Sequence, residues 1–495
     1  MDSSARPALL LMSGRAIAML ATFLVPLALV RIFDQTQFGT YKQLFLVYAT
    51  FYGISQIGMA ESLFYFLPRA HSEAGGYAAN SLLALGAAGL ASLALLWAGA
   101  PAISRGLGNP DLARYLPLLG VFLLFMLPSA ALEIVMISRR RYLHGAVAYG
   151  VSDVLRVLAL VAPALLWRRL DWLLVGAIVF AAGRLLATLA YFRRELTGFR
   201  PEPALARLQV SYALPFALTV LVETVQLNYH QYAVSHRFDA ATFAIYSVGC
   251  FQIPLLELVA SPLANVLMVR MAERLRDGRV EDALQAWTRT TRTLALVFFP
   301  VLALLLVCAR DFIVFLFTDR YLASVPIFMV WSLALASSVL QTDAVLRVYA
   351  ATRFMFALGV LKLLVIAGLI GAFMSAFGLQ GAVLVSLLAT LAMKAAALAR
   401  MRRLVGVGLS RLLPWRELAG IALAAGAAAL PALIVKAAVE GPLIARLALT
   451  GLAGVAAYVA IVFQSGLLEE GERQAVRGWL QRFTPGVLQA GESRS

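Results

Sequence analysis

Residues 115–141 read YLPLLGVFLLFMLPSAALEIVMISRRR, and they carry the pattern that decides the fold. From Tyr115 to Ser138 the only charged side chain is Glu133, and Arg139, Arg140 and Arg141 follow at once. About 20 residues of helix are needed to cross about 30 Å of hydrocarbon, so this run is long enough to span a bilayer. Arginines that close a span stay on the cytoplasmic side. Working outward in both directions, the same unit recurs as about fourteen apolar runs of roughly 18 to 26 residues, joined by short basic connections.

The runs cover residues 9–31, 41–66, 77–99, 115–138, 146–167, 171–192, 209–233, 242–268, 294–317, 322–346, 354–374, 378–400, 417–439 and 443–465. Placing the N-terminus in the cytoplasm gives the inward connections roughly three times as many arginines as the outward ones, so both termini are expected to be cytoplasmic. Composition agrees. A chain of 495 residues with 61% hydrophobic and 14% charged residues and a mean hydropathy of +0.83 cannot cover a water-soluble surface, which takes roughly a quarter charged residues. The net charge of +16 is spread over the connections rather than gathered into one stripe, which argues against a nucleic-acid partner. Leu9–Val30 is too long for a signal-peptide core and no small-x-small cleavage site closes it, so it reads as the first span. Cys250 and Cys308 lie inside runs, in neither metal-binding nor redox spacing, and read as apolar filler.

The expected fold class is an all-α polytopic membrane protein of about fourteen transmembrane helices in two pseudo-symmetric six-helix lobes plus a C-terminal helix pair. The lobes would be 1–200 and 201–408, the second carrying a cytoplasmic surface helix over about 270–292; spans thirteen and fourteen lie in 409–466, and 467–495 form a cytoplasmic tail. The two-lobe reading rests on an internal echo. Asp34-x-x-x-Phe38-x-x-Tyr41 stands between spans one and two, and Asp239-x-x-x-Phe243-x-x-Tyr246 between spans seven and eight. With six spans between the copies, both would enter the membrane in the same sense, the arrangement of two lobes facing one cavity.

Ionisable groups inside spans are costly and mark cavities or interior pairs. Arg15, Arg156 and Arg184 are candidate binders of an anionic substrate, with Lys362 beside them, because a guanidinium can grip phosphate bidentately. Asp153 stands three residues before Arg156 and can instead satisfy it. Glu223 and Glu257, near the middles of spans seven and eight, are candidates for ion coupling, as is Asp153, with packing against Gln226, Asn228 or Gln252 as the structural alternative. Glu61 with Arg69, and Asp343 with Arg347, sit nearer the cytoplasmic ends and are candidate gates. His230 reads as a polar cap near an outward helix end. Prolines within the runs, including Pro128, Pro215, Pro262 and Pro300, permit bends. No Gly-rich loop ending in Lys-Ser or Lys-Thr, no His- or Cys-rich cluster and no large outward loop is present, so the expectation is a non-enzymatic transporter without cofactor or metal, driven by an ion gradient, the membrane potential or the substrate gradient itself.

The segment LVPLALVRIFDQTQFGTYKQLFLVYAT, residues 24–50, with Arg31, Asp34, Phe38, Gly39 and Tyr41, and the span-two ending Leu67-Pro68-Arg69, resembles the polysaccharide-transporter (Wzx-like) branch of the multidrug/oligosaccharidyl-lipid/polysaccharide (MOP) flippase superfamily. The resemblance covers about residues 8–466. It implies a flippase of the bacterial inner membrane that carries undecaprenyl-pyrophosphate-linked oligosaccharide from the cytoplasmic to the periplasmic leaflet for surface polysaccharide such as lipopolysaccharide or exopolysaccharide. The partners it implies are the lipid-linked substrate, the surrounding lipids and a polysaccharide polymerase or export machinery, with a monomer as the working unit. The alternatives are a lipid II flippase and a multidrug or ion antiporter of the same superfamily. A membrane polymerase or a scaffold fits the absent catalytic loop and the buried charges less well.

Overall fold

In hydrocarbon each backbone N–H and C=O must be satisfied within the protein, and a helix does this locally. The structure, a computed structural model, describes residues 5–70, 73–468 and 473, with side chains described outside 5–18, 216 and 254–257. Among the described residues there are helices and no strands. In chain order they begin with α1 (Ala5–Ile32), α2 (Gln35–Ser55), α3 (Met59–Phe66), α4 (Ala74–Ala98), α5 (Ala100–Gly106), α6 (Leu112–Ser129), α7 (Ala131–Ser138), α8 (Tyr142–Trp167) and α9 (Leu170–Glu195). There follow α10 (Pro203–Arg237), α11 (Ala240–Gly249), α12 (Pro254–Arg276), α13 (Val280–Phe317), α14 (Val325–Ser338), α15 (Thr342–Val348), α16 (Thr352–Val405), α17 (Leu409–Leu412), α18 (Trp415–Ala438) and α19 (Leu443–Gln464). Among the described residues nine helical stretches are long and apolar enough to cross a membrane, and a tenth is counted when the bent pair Pro203–Pro215 and Ala217–Arg237 is one span. The chain is an all-α polytopic membrane protein.

Several expected spans are broken, which is why fewer helices than expected meet that test. α2 and α3 are parted where Ile57 and Gly58 take positive φ, 49° and 67°. α11 ends at Gly249 and α12 resumes at Pro254. α16 has 54 residues, which would measure roughly 80 Å if straight. It is not straight, because Gly378 (φ 58°, ψ −138°) reverses it. A Cβ placed on Gly381 would overlap the carbonyl of Phe373. Ile366, Ile370 and Met374 before the reversal share one buried cluster with Ala382, Val383 and Ala389 after it. α16 is therefore a hairpin of two arms, in keeping with the adjacent runs expected at 354–374 and 378–400. Residues 270–292, expected as a separate surface helix, are instead the joined ends of α12 and α13 around a turn at 277–279. α13 is 38 residues long, roughly 57 Å, and outruns the hydrocarbon core. Near its start Trp287 is buried and its Nε1 donates to the Leu412 carbonyl at 2.8 Å.

Contacts divide the chain into two compact units. One holds the chain up to Leu258 with Leu316–Trp331 and Thr352–Met393; the other holds Val259–Phe315, Ser332–Ala351 and the chain from Lys394. Within the first, the two copies of Asp-x-x-x-Phe-x-x-Tyr have the same local geometry. Asp34 caps α2 by accepting from Gln37 N at 2.8 Å, and Asp239 caps α11 by accepting from Thr242 N at 2.8 Å. Phe38 and Phe243 are fully buried, as are Tyr41 and Tyr246 beside them. The copies also meet, since a Cβ on Gly39 would overlap the Ala240 carbonyl. Beside this contact Gln43 Nε2 donates to Ser235 Oγ (2.8 Å) and to the Leu107 carbonyl (3.0 Å), while Asn109 Nδ2 donates to Gln43 Oε1 (2.6 Å) and Thr40 Oγ1 (2.9 Å). These polar groups are buried, and each bond offsets the cost of removing it from water.

The Asp239 cap gives a modest prediction. Hydrogen bonds from Thr242 hold its carboxyl below the usual range. A group whose acidity is raised on folding stabilises the fold above its ordinary titration, and that contribution is lost as the pH falls through the lowered value. Asp239→Ala is expected to cost about 1 kcal/mol at neutral pH. Thermal unfolding of the two proteins should differ at pH 7, and the difference should shrink once the pH falls below the ordinary carboxylate range. An equal difference above and below that range would remove the cap as the cause.

Candidate functional site

Among the described residues the first unit contains two intramembrane ion pairs, to which Arg156 and Arg184 belong. Glu133, on the short α7 that follows the Pro128 bend, faces Arg184 of α9. The Arg184 Nη2 donates to both carboxylate oxygens at 2.7 Å, Nε donates to Ser129 Oγ at 3.2 Å, and Nη1 donates to Ser152 Oγ. Side-chain exposure is 3% for Glu133 and 10% for Arg184. All three guanidinium nitrogens are thus engaged within the bundle. The second pair is more open. Arg156 Nη2 lies 2.7 Å from Asp153 Oδ1 and donates to Thr22 Oγ1 of α1 at 2.6 Å, with both charged side chains 21% exposed. The three-residue spacing on one helix face produces this pair, as the sequence suggests.

α2 supplies an aromatic face opposite. Tyr41, Phe45, Tyr48 and Tyr52 recur at helical spacing, with successive ring centroids 4.6, 5.6 and 5.3 Å apart, and Phe122 lies 5.2 Å from Tyr48. Tyr48 and Tyr52 are within electrostatic reach of both Arg156 and Arg184. On the same helix Thr50 Oγ1 accepts from Tyr232 at 2.9 Å and from Asn228 Nδ2 at 3.3 Å, which brings in the polar edge of α10. Further along α10 the Gln226 amide bridges the Gly359 carbonyl (3.1 Å) and the Lys362 ammonium (3.3 Å). His230 is buried, its Nδ1 2.6 Å from the Tyr246 hydroxyl and its ring 5.5 Å from Trp331, so it is a packed interior residue rather than an exposed cap. Glu223 is exposed on α10 and forms no ion pair among the described residues.

An open groove of about 730 Å³ runs along α7, α8 and α9. Its walls are apolar, with Leu132, Val147, Val151, Leu155 and Phe180 among them, and Ser152 and Arg184 stand in its lining. The groove therefore reaches Arg184 of the buried ion pair and its hydrogen-bond partner Ser152.

The other candidates are dispersed. Arg69 stacks over the Tyr65 ring (3.9 Å) and donates to the Tyr65 carbonyl at 2.7 Å; Glu61 has a buried carboxylate oxygen without a hydrogen-bond partner, and the two form no ion pair among the described residues. Asp343 is 3.7 Å from Lys394, which also donates to the Leu340 carbonyl and to Thr342; Arg347 makes no ion pair among the described residues. The side chains of Arg15 and Glu257 lie outside the described residues. In the second unit sequence reasoning missed Asp311, a buried carboxylate that meets Arg446 at 2.5 Å and Lys436 at 3.6 Å. Its signal was an acid inside the run 294–317. The α2 ladder was also missed, although its spacing of four, three and four is that of one helix face. Among the described residues no group of three or more His, Cys, Asp or Glu could hold a metal ion.

A buried neutral pair, a half-open pair, tyrosine hydroxyls and an amphipathic groove can hold and orient an amphiphile, and they do not assemble a nucleophile with a base. The fold is that of the MOP transporters. It is similar to a structure described as lipid II flippase MurJ in an inward closed conformation, at 13% identity and a TM-score of 0.69, covering 92% of this chain and 100% of that one. It is also similar to a multidrug resistance MATE family transporter in an inward-facing conformation (13% identity, TM-score 0.60, 80% of this chain and 94% of that one). A third similar structure is a MOP superfamily transporter from Pyrococcus furiosus (13%, 0.56, 81% and 95%). No curated protein matches the sequence. The sequence over residues 28–326 matches the family described as polysaccharide biosynthesis protein. That match spans more than half of the chain, which belongs to the polysaccharide biosynthesis protein family.

Proposed function

We propose that this protein is a flippase that moves a saccharide linked to a polyprenyl pyrophosphate from the cytoplasmic to the periplasmic leaflet of a bacterial inner membrane, by alternating access and without covalent chemistry. The family match over residues 28–326 carries this reading, because it is the observation that speaks of polysaccharide. We also infer fourteen crossings in two six-helix lobes and a terminal pair, with both termini cytoplasmic. α1, the broken pairs α2–α3 and α11–α12, and the second arm of α16 supply the crossings that length alone does not count, and the positive-inside bias supports the orientation.

The half-open pair suits the headgroup. Arg156 spends one hydrogen bond on Thr22, a neutral acceptor that a pyrophosphate oxygen outcompetes, since bonds between two charged groups are roughly twice as strong. Asp153 keeps the site neutral when empty, which limits the cost of a charge inside the membrane and keeps binding weak enough for release. Tyr48 and Tyr52 offer rings and hydroxyls to sugars, and the groove beside Arg184 offers an apolar track for part of the prenyl tail. Coupling to an ion would fall to Glu223, an exposed carboxylate on a membrane helix, with Asp153 and Glu257 as the other candidates.

A second reading is a lipid II flippase, favoured by the full-length similarity to MurJ at a TM-score of 0.69. Binding of three probes to the purified protein separates the readings: a prenyl-pyrophosphate-linked glycan repeat unit, lipid II, and a lipophilic cation. The proposal expects the glycan lipid to bind best and Arg156→Ala to weaken it by roughly 10-fold or more, the loss of a charge-assisted contact. Preference for lipid II would transfer the assignment to the second reading, and preference for the cation would point to a multidrug exporter.

A further inference from the structure

We propose that the end of the α18–α19 hairpin, where Arg446 and Lys436 share Asp311, binds the phosphate of an anionic membrane phospholipid. Asp311 of α13 is 4% exposed. Arg446 Nη2 lies 2.5 Å from Asp311 Oδ1, and Lys436 Nζ lies 3.6 Å from Oδ2 while donating to the Val307 carbonyl at 2.6 Å. One carboxylate thus balances two cations. Arg310 next to Asp311 and Glu440 on the hairpin turn are both exposed and opposite in sign, so counting them with Asp311, Lys436 and Arg446 leaves one positive charge in excess.

Both cations are within reach of a ligand, since the Lys436 side chain is 26% exposed and that of Arg446 32%. The Arg446 Nε and the Thr450 hydroxyl one turn further along are enclosed by protein and have no hydrogen-bond partner, so they do not take up the charge. Partly exposed guanidinium and ammonium groups with one positive charge in excess favour an anionic oxygen acceptor. The level is that of headgroups, because Lys436 is within a turn of the end of α18 and Arg446 within a turn of the start of α19, roughly 5 Å from the helix ends. The surroundings favour a lipid over a free phosphate ion. Leu433, Ile434, Ile444 and Leu449 flank the cations and are exposed, so an occupant with a phosphate and acyl chains covers both features at once. The site lies within the second unit and shares no residue with the proposed headgroup site at Arg156.

Thermal unfolding of the purified full chain in neutral detergent, with phosphatidylglycerol, phosphatidylcholine or inorganic phosphate added, tests the assignment. Phosphatidylglycerol is expected to raise the melting temperature in a salt-sensitive way, and the other two to leave it unchanged. Arg446→Gln and Lys436→Gln should each weaken the apparent affinity for phosphatidylglycerol by about fivefold, and Arg446→Lys should retain part of it. Lys436→Gln keeps the Asp311–Arg446 pair, so it remains informative should Arg446→Gln not fold. An equal shift with phosphatidylcholine, or an unchanged shift in Lys436→Gln and Arg446→Gln, overturns the site. The same shift with inorganic phosphate alone would make it a free-anion site and overturn the lipid.

Discussion

Glu133→Ala is expected to destabilise the protein by about 3–5 kcal/mol, the cost of stranding a buried cation whose partner has been removed. The Arg184 guanidinium would keep its bonds to Ser129 and Ser152 and lose both carboxylate bonds at a position 10% exposed. Neither hydroxyl can neutralise a charge. The paired change Glu133→Leu with Arg184→Met removes both charges together and should recover most of the loss, because replacing a buried pair by apolar groups of similar volume is often neutral. Equilibrium unfolding of the two variants in mixed micelles checks this. A single variant within about 1 kcal/mol of the parent would mean that the pair is solvated.

Gly39→Val should be nearly as damaging, at about 3 kcal/mol, the upper part of the usual overpacking range. Its Cβ would overlap the backbone carbonyl of Ala240, and backbone cannot swing aside as a side chain can. The first turns of α2 and α11 would have to part, taking the Gln43–Ser235 bond with them. Ala244 fills the corresponding place in the second copy, so Ala244→Gly is the informative control and should cost only about 1 kcal/mol. In vesicles Gly39→Val should also lower translocation, since this contact joins the two motif copies. Unimpaired stability and transport would show that the helices do not need so close an approach.

Much of this was legible because it follows from local rules. Asp34 and Asp239, each followed by an aromatic pair at the same spacing, announced two matching helix starts, and both are caps. Asp153 and Arg156 were readable as partners from their spacing alone. Partners on different helices were not. The Arg184–Glu133 pair had no sequence signal because the two lie 51 residues apart, and only the packing of α7 on α9 brings them together. Gln43 and Asn109, uncharged and inside or beside apolar runs, gave no signal of expense, yet they tie three segments of the first unit together. The breaks in α2–α3 and α16 depend on positive φ at Gly58 and Gly378, and glycines are too common in this chain for any one to reveal itself. Asp311 escaped notice because it stands near a span end, where a charge can be mistaken for part of a loop.

Translocation of a lipid-linked saccharide is measured directly in proteoliposomes holding the purified protein and a fluorescent prenyl-pyrophosphate-linked oligosaccharide. The fraction of label that becomes accessible to an impermeant quencher on the opposite leaflet is followed with and without proton, sodium and potential gradients. Movement above the protein-free rate is expected, falling about 10-fold or more in Arg156→Ala, with gradient dependence lost in Glu223→Gln. A rate equal to protein-free vesicles under every gradient, with protein that binds the same lipid, would contradict the proposed flippase function.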